Sequence, residues 1–233
     1  MSKDILMPDQ PLGAFGKIPG AGDFLRLSGP EGFVEVWDDW LQSTMLAAAE
    51  AFGAEWDARY MSAPIWRFTL SPGLAGPAAA TGVLMPSVDR VGRRFPLTLM
   101  MPLAGDRLEP GGHFERDDFF TALEDLALAA LEDGFDRAAL AERLQAVTPP
   151  ESAGAAGVHP LPDGVRIMQK GEDEGTGGAL LNWLLLRQFP LASLWSTTFN
   201  GQTFTTACAG LPGGSAASTL FDPAPKDQSQ GAA

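Results

Sequence analysis

The stretch VLMPSVDRVGRRFPLTLMMPL, residues 83–103, constrains the fold of this chain more than any other. Its two apolar runs, at 83–85 and 97–101, have the length of buried strands. Between them Asp89, Arg90, Arg93 and Arg94 lie on a segment punctuated by Pro86, Gly92 and Pro96. Proline fixes φ and has no amide proton for a ladder, so Pro86 and Pro96 bracket a connection and do not lie within a central strand. One carboxylate and several guanidinium groups are thereby placed at the ends of two buried strands, where α/β folds commonly keep their working groups. An Asp close to Arg residues is also the signature of a structural ion pair, and such pairs perturb local chemistry without being functional. From the residues alone both readings stand.

With 233 residues, 45% of them hydrophobic and 9% aromatic, the chain can build a sizeable core. The formal net charge is −13, most of it beyond residue 103. A surface this acidic repels phosphate backbones and anionic membranes, which argues against nucleic-acid and membrane partners. The single cysteine, Cys208, excludes an internal disulfide framework and a cysteine-based zinc cage. It lies in TFTTACAGL, a strand-like run where a small buried hydrophobe is expected. MSKDILMPDQPLG has no apolar segment of signal-peptide length. ALLNWLLLRQFPLASLW, the longest apolar stretch, is interrupted by Asn182, Arg187, Gln188 and Pro190. A cytoplasmic soluble protein without membrane insertion is the expectation.

Along the chain, FGKIPGAGDF (15–24) reads as a strand ending in a tight Gly/Pro loop. A phosphate-binding GxxxxGK[ST] loop needs Lys after its last glycine, but Lys17 precedes the turn and Ile18 follows it, so the nucleotide reading fails. Lys17 and Asp23 are read as capping or pairing groups. Pro30–Phe52 is a helix with Phe33, Val36, Trp37, Trp40, Leu41 and Met45 on one apolar face and Gly53 as its C-cap. Strands follow at 63–72, 80–85 and 97–103. The alternation of Ile65, Arg67 and Thr69 with Trp66, Phe68 and Leu70 predicts a strand antiparallel to the next, and hence a mixed sheet. A helix is expected over 114–133, with Phe119, Phe120, Leu123, Leu126, Ala127, Ala130 and Leu131 inward. Asp136 caps another helix over 137–147. Residues 148–178 read as flexible loops enclosing a strand at 165–169, and 179–188 as an apolar helix. Strands at 191–198 and 203–209 and a helical turn within 215–221 complete the domain. The predicted organisation is a loose start (1–14), one α/β domain (15–221, its main part 15–147) and a disordered tail (222–233). The fold expected is a mixed sheet sandwiched by helices on both faces, a three-layer α/β/α arrangement.

No HExxH, GxSxG, CxxC or dinucleotide fingerprint occurs. His113 and His159 both read as loop residues, and the acidic pairs Asp117/Asp118 and Glu124/Asp125 as a solvated helix face. No catalytic, cofactor-binding or metal-binding residue is assigned.

Taken in order, GKIPGAGDF (16–24), WDDWL in the first helix, APIWRF and GLAGP (63–77), GVLMPSVDRVGRRFPL (82–97) and the later SLW and GLP pieces resemble the TagF family, also called ImpM or SciT, of type VI secretion accessory proteins. The resemblance is closest over 15–103. It is looser towards the C-terminus, where Ser196-Thr197 stand in place of the family's second tryptophan after SLW. The resemblance implies a cytoplasmic, non-enzymatic protein that represses assembly of the injection apparatus after translation, in some relatives by binding a forkhead-associated scaffold. It also implies an α/β sandwich with a mixed sheet. On this reading Lys17, Asp23, Asp89, Arg90 and Arg93 form, or rigidly hold, a polar patch where arginine forks meet a partner's carboxylates. The competing expectations are a hydrolase or phosphoryl-transfer enzyme using Asp89 with Arg93 or Lys17, and a structural part of the apparatus. The oligomeric state is left open by the residues.

Overall fold

The computed structural model describes residues 12–104, 108, 110–150, 157–162, 164–168 and 176–223. Expectations placed on 1–11, 151–156, 169–175 and 224–233 lie outside the described residues. In chain order the strands are β1 (Gly13–Gly16), β2 (Leu25–Leu27), β3 (Trp66–Leu70), β4 (Ala79–Met85), β5 (Leu97–Leu103), β6 (Gly157–Leu161), β7 (Gly164–Met168), β8 (Ala192–Phe199) and β9 (Gln202–Ala209). Seven of them form one sheet in the order β2-β1-β5-β4-β3-β8-β9, and β6 and β7 pair as a separate hairpin.

At the centre, β4 and β5 are antiparallel in the register Gly82↔Met100 and Val83↔Leu99. Every side chain of β4 is buried, because both faces of the sheet are covered. Alternation then sorts the apolar residues into two cores. Val83, Met85, Leu97 and Leu99 point to one face, where α4 (Asp117–Ala129) and α5 (Arg137–Ala146) cover them through Phe119, Phe120, Leu123, Leu140 and Leu144. Phe68, Ala80, Leu84, Met100 and Trp195 point to the other, against α1 (Phe33–Phe52), α2 (Trp56–Ser62) and Leu220 and Phe221, which follow α7 (Ser215–Ser218). The three-layer α/β/α arrangement is therefore present. One detail differs from the expected mixed sheet: every strand ladder among the described residues is antiparallel. Parallel neighbours need a crossover of a dozen residues or more. β3–β4–β5 instead turn back through short connections, and the long connection after β5 delivers β8 antiparallel to β3.

On α1 the buried stripe is Phe33, Val34, Trp37, Leu41, Thr44 and Ala48. Val36 faces solvent, contrary to expectation, since it sits one position off the 3.6-residue stripe. The helix starts at Phe33, not Pro30, because Gly32 takes a left-handed φ of 69°. The Trp37 indole donates to Thr98 Oγ1 (2.8 Å), and its ring stacks on Trp195 with centroids 6.0 Å apart. The indoles of Trp40 and Trp66 donate to the carbonyls of Pro212 and Leu220, tying the C-terminal segment across this face.

The single helix expected over 114–133 is two, α3 (Pro110–Glu115) and α4, separated by non-helical Arg116, and Leu131 beyond them is exposed. Asp136 does cap α5, its Oδ1 accepting from the amides of Ala138 and Ala139 at 2.9 Å each. α6 (Thr176–Gln188) packs against α3, with Asn182 Oδ1 accepting from the Gly111 amide. Three elements are not anticipated by the sequence reading: β2, α2 and β6. His113 accordingly lies on α3 and His159 on β6, not in the loops expected. Cys208, expected to be buried, is half-buried.

Candidate functional site

The connection from β4 to β5 begins at Pro86 and ends at Pro96, and its tip is a tight hairpin loop. The Gly92 amide donates to Asp89 O (2.9 Å), and the Asp89 amide donates to Arg93 O (3.0 Å). Gly92 has φ 83°, the left-handed residue that a three-residue hairpin loop places after its turn. The Asp89 side chain completes the loop: Oδ1 accepts from the amides of Val91 (3.1 Å) and Arg93 (2.9 Å).

Its second oxygen receives two cations. Lys17 Nζ lies 3.1 Å and Arg93 Nε 2.6 Å from Asp89 Oδ2. Lys17 and Asp89 are 6% and 2% exposed, so this is a buried pair that joins the β1 end of the chain to the loop. Burial alone pushes the Asp89 carboxyl up. The Arg93 amide, the Arg93 guanidinium, the Lys17 ammonium and the Val91 amide outweigh it and hold the carboxyl well below the usual carboxylate range. Both oxygens are fully engaged, so no acceptor position remains for a substrate proton or a metal ion.

Backbone contacts lock the two segments together. The Arg90 amide donates to Ala21 O (3.0 Å), and Arg93 Nη2 donates to Gly22 O (2.8 Å). At the base of the loop, Tyr60 Oη donates to Ser87 O (2.7 Å) and accepts from the Ser87 amide (3.1 Å). Gly16 has φ 133°, and a Cβ there would fall 2.0 Å from Pro96 O, so the close approach of β1 to this loop needs glycine. Phe15, Phe24 and Phe95 form an edge-and-stack triad beside the pair, with Lys17 Nζ 4.9 Å from the Phe24 ring centroid.

Of the five residues picked from the sequence, the fold therefore joins Lys17, Asp89 and Arg93. Arg90 is held by its backbone, its exposed guanidinium lying against Gly22 without an ion-pair partner among the described residues. Asp23 stays outside the cluster: its Oδ1 accepts from its neighbour's amide, Phe24, at 2.8 Å. Val91 protrudes from the tip at 70% exposure, and Phe24, packed edge-on against Phe95, is 46% exposed. The result is an arginine-flanked apolar tip on a rigid base.

A second polar cluster had no sequence signal. His113 is buried between two hydroxyls, with Nδ1 2.8 Å from Thr69 Oγ1 and Nε2 2.8 Å from Ser196 Oγ. Thr69 reaches Thr81 Oγ1 at 3.2 Å, and Thr81 donates to Phe68 O. Burial first, then the charges of Arg116 and Arg67, lower the imidazole pKa to about 3, so His113 is neutral at physiological pH. A serine beside an imidazole is the beginning of a nucleophilic constellation, but His113 and Thr69 are buried and Ser196 is only 9% exposed. The cluster fastens α3 to β3 and β8. Next to it Arg67 forms a bidentate fork with Glu124 (2.7 and 2.8 Å) and also pairs with Asp117.

Among the described residues no group of His, Cys, Asp or Glu has the makings of a metal site, and no helix is long and apolar enough to cross a membrane. The family model for the TagF N-terminal domain, type VI secretion system-associated, matches residues 13–147. The crystal structure of PA0076 from Pseudomonas aeruginosa PAO1 is similar at 32% identity and a TM-score of 0.76, covering 93% of this chain and 96% of that one. No curated protein matches.

Proposed function

This chain belongs to the TagF family of type VI secretion system-associated proteins, and on that footing we propose that it is a non-enzymatic regulator which holds back assembly of the secretion apparatus by docking on another protein, a forkhead-associated scaffold being the first candidate. The observation that carries this reading is the geometry of the Asp89 loop. A carboxylate with both oxygens engaged is built to hold, not to react. What it holds is a surface tip of Arg90 and Val91. Arginine is enriched at the centres of protein interfaces. Arg90, with no anion partner among the described residues, supplies a fork for a partner's carboxylate. The same engagement of Asp89 speaks against its use as an acid, base or metal ligand with Lys17 or Arg93.

On this reading the protein works in the cytoplasm. The experiment is co-purification of the tagged chain from cells that build the apparatus, with secretion measured when the chain is overproduced. Recovery of the scaffold, with secretion reduced, supports the reading. Recovery in stoichiometric amounts with assembled particles, or substrate turnover lost in Asp89→Asn, overturns it.

A further inference from the structure

The two edges of the seven-stranded sheet are built very differently. β2 is three residues long, carries Arg26, and is flanked by the exposed Arg26–Glu35 ion pair. Short length and charge are the usual means of keeping an edge from pairing with another strand. β9, at the other end of the order, is eight residues long (QTFTTACA) with no charge and no proline. No described strand pairs with its outer side. The neutrality extends well beyond the strand: from position 188 to position 221 there is no Asp, Glu, Lys, Arg or His, in a chain whose net charge is −13.

The hairpin sets which backbone groups face outward. β8 and β9 are joined by Asn200 and Gly201, both with positive φ (51° and 74°), a two-residue loop of the primed type. Such a loop closes on the hydrogen-bonded pair Phe199↔Gln202, and pairs alternate from there. The amides and carbonyls of Gln202, Phe204, Thr206 and Cys208 are thus turned to β8. Those of Thr203, Thr205, Ala207 and Ala209 are turned away from it, to the open side.

We propose that this edge pairs with the β9 edge of a second copy of the chain, antiparallel about a two-fold axis at Thr206. In that register Thr205 meets Ala207 of the second copy, Thr203 meets Ala209, and Phe204 meets Cys208. Each outward amide finds an outward carbonyl, and the two sheets become one. The pairing is isologous, as two-fold interfaces require, and the side chains along it are small apart from Phe204. Like-charge repulsion between two acidic molecules is weakest where neither carries a charge, and of the two edges of the sheet β9 is the one that meets that condition. The proposal is independent of the Asp89 loop, which lies near the opposite edge of the sheet, beside β1.

The test is the molar mass of the purified full chain by light scattering across a wide concentration range, together with three variants. The expected results are a mass rising towards twice 24.6 kDa for the native chain, and a monomer for Ala207→Pro and for Thr205→Lys, with melting temperatures close to native. Proline at 207 removes only an amide that faces away from β8; Thr205→Lys needs no backbone change, so it decides the matter if the proline variant does not fold. Thr206→Cys in a Cys208→Ala background should form a covalent dimer under mild oxidation that a thiol reverses. A native chain that is monomeric throughout overturns self-pairing, including one that instead captures an extended uncharged peptide. So does a dimer that persists in both edge variants, or a Thr206→Cys variant that does not cross-link.

Discussion

Lys17 Nζ lies 3.1 Å from Asp89 Oδ2, and neither side chain has appreciable contact with solvent. The pair joins the segment after β1 to the β4–β5 connection, and it works only while Asp89 is ionised. The folded carboxyl titrates well below the 3.8 of a free aspartate. A lowered folded pKa contributes stability above the unfolded pKa and loses it as pH falls through that value towards the folded one. Melting temperature should therefore fall below about pH 4, and Asp89→Asn should lose that component of the acid slope. At neutral pH the same variant should melt lower than native, because Lys17 is left buried without its counter-charge. Melting curves collected across the acid range check both outcomes.

Tyr60 anchors the same loop from the opposite side. Tyr60→Phe removes the acceptor of the Ser87 amide, while Ser87 O keeps the Phe95 amide at 3.1 Å as a donor. One buried N–H is left without a partner, at a cost of about 1–3 kcal/mol. Denaturant unfolding should show that loss at an unchanged slope, and a neutral result would remove Tyr60 from the loop's supports.

His113 gives a separable signature. Its pKa falls from 6.5 in the unfolded chain to about 3 in the fold. The sign is again that of a depressed group: full contribution above about pH 6.5, progressive loss between there and about pH 3. His113→Gln, which keeps hydrogen-bonding capacity but cannot titrate, should flatten stability in that window and leave the more acid Asp89 window in place. An identical pH profile for the two proteins would contradict the buried neutral imidazole.

Much of this is legible in the residues. Pro86 and Pro96 bracket the connection as proline chemistry requires, and Asp136 caps its helix because a short carboxylate suits the first free amides. Asp89 and Gly92 occupy the positions a tight hairpin loop favours for aspartate and glycine. What is not legible depends on distance along the chain or on local competition. Tyr60 meets its partner 27 residues away, and His113 meets its hydroxyls 44 and 83 residues away; no spacing rule reaches so far. β2 is too short to display a period. Proximity in sequence groups Asp23 with the cluster, but its carboxylate is taken by the adjacent amide of Phe24, a local bond that competes with long-range pairing.

If a rigid base displays the Arg90–Val91 tip for another protein, calorimetric titration of the purified forkhead-associated scaffold into native chain and into an Arg90→Glu/Val91→Asp variant will separate the two proteins. Both substitutions lie on exposed side chains, so the variant should melt as the native chain does. The predicted result is binding by the native chain and at least a tenfold weakening in the variant, about 1.4 kcal/mol. Equal affinity for the two proteins, or no binding by either, would contradict it.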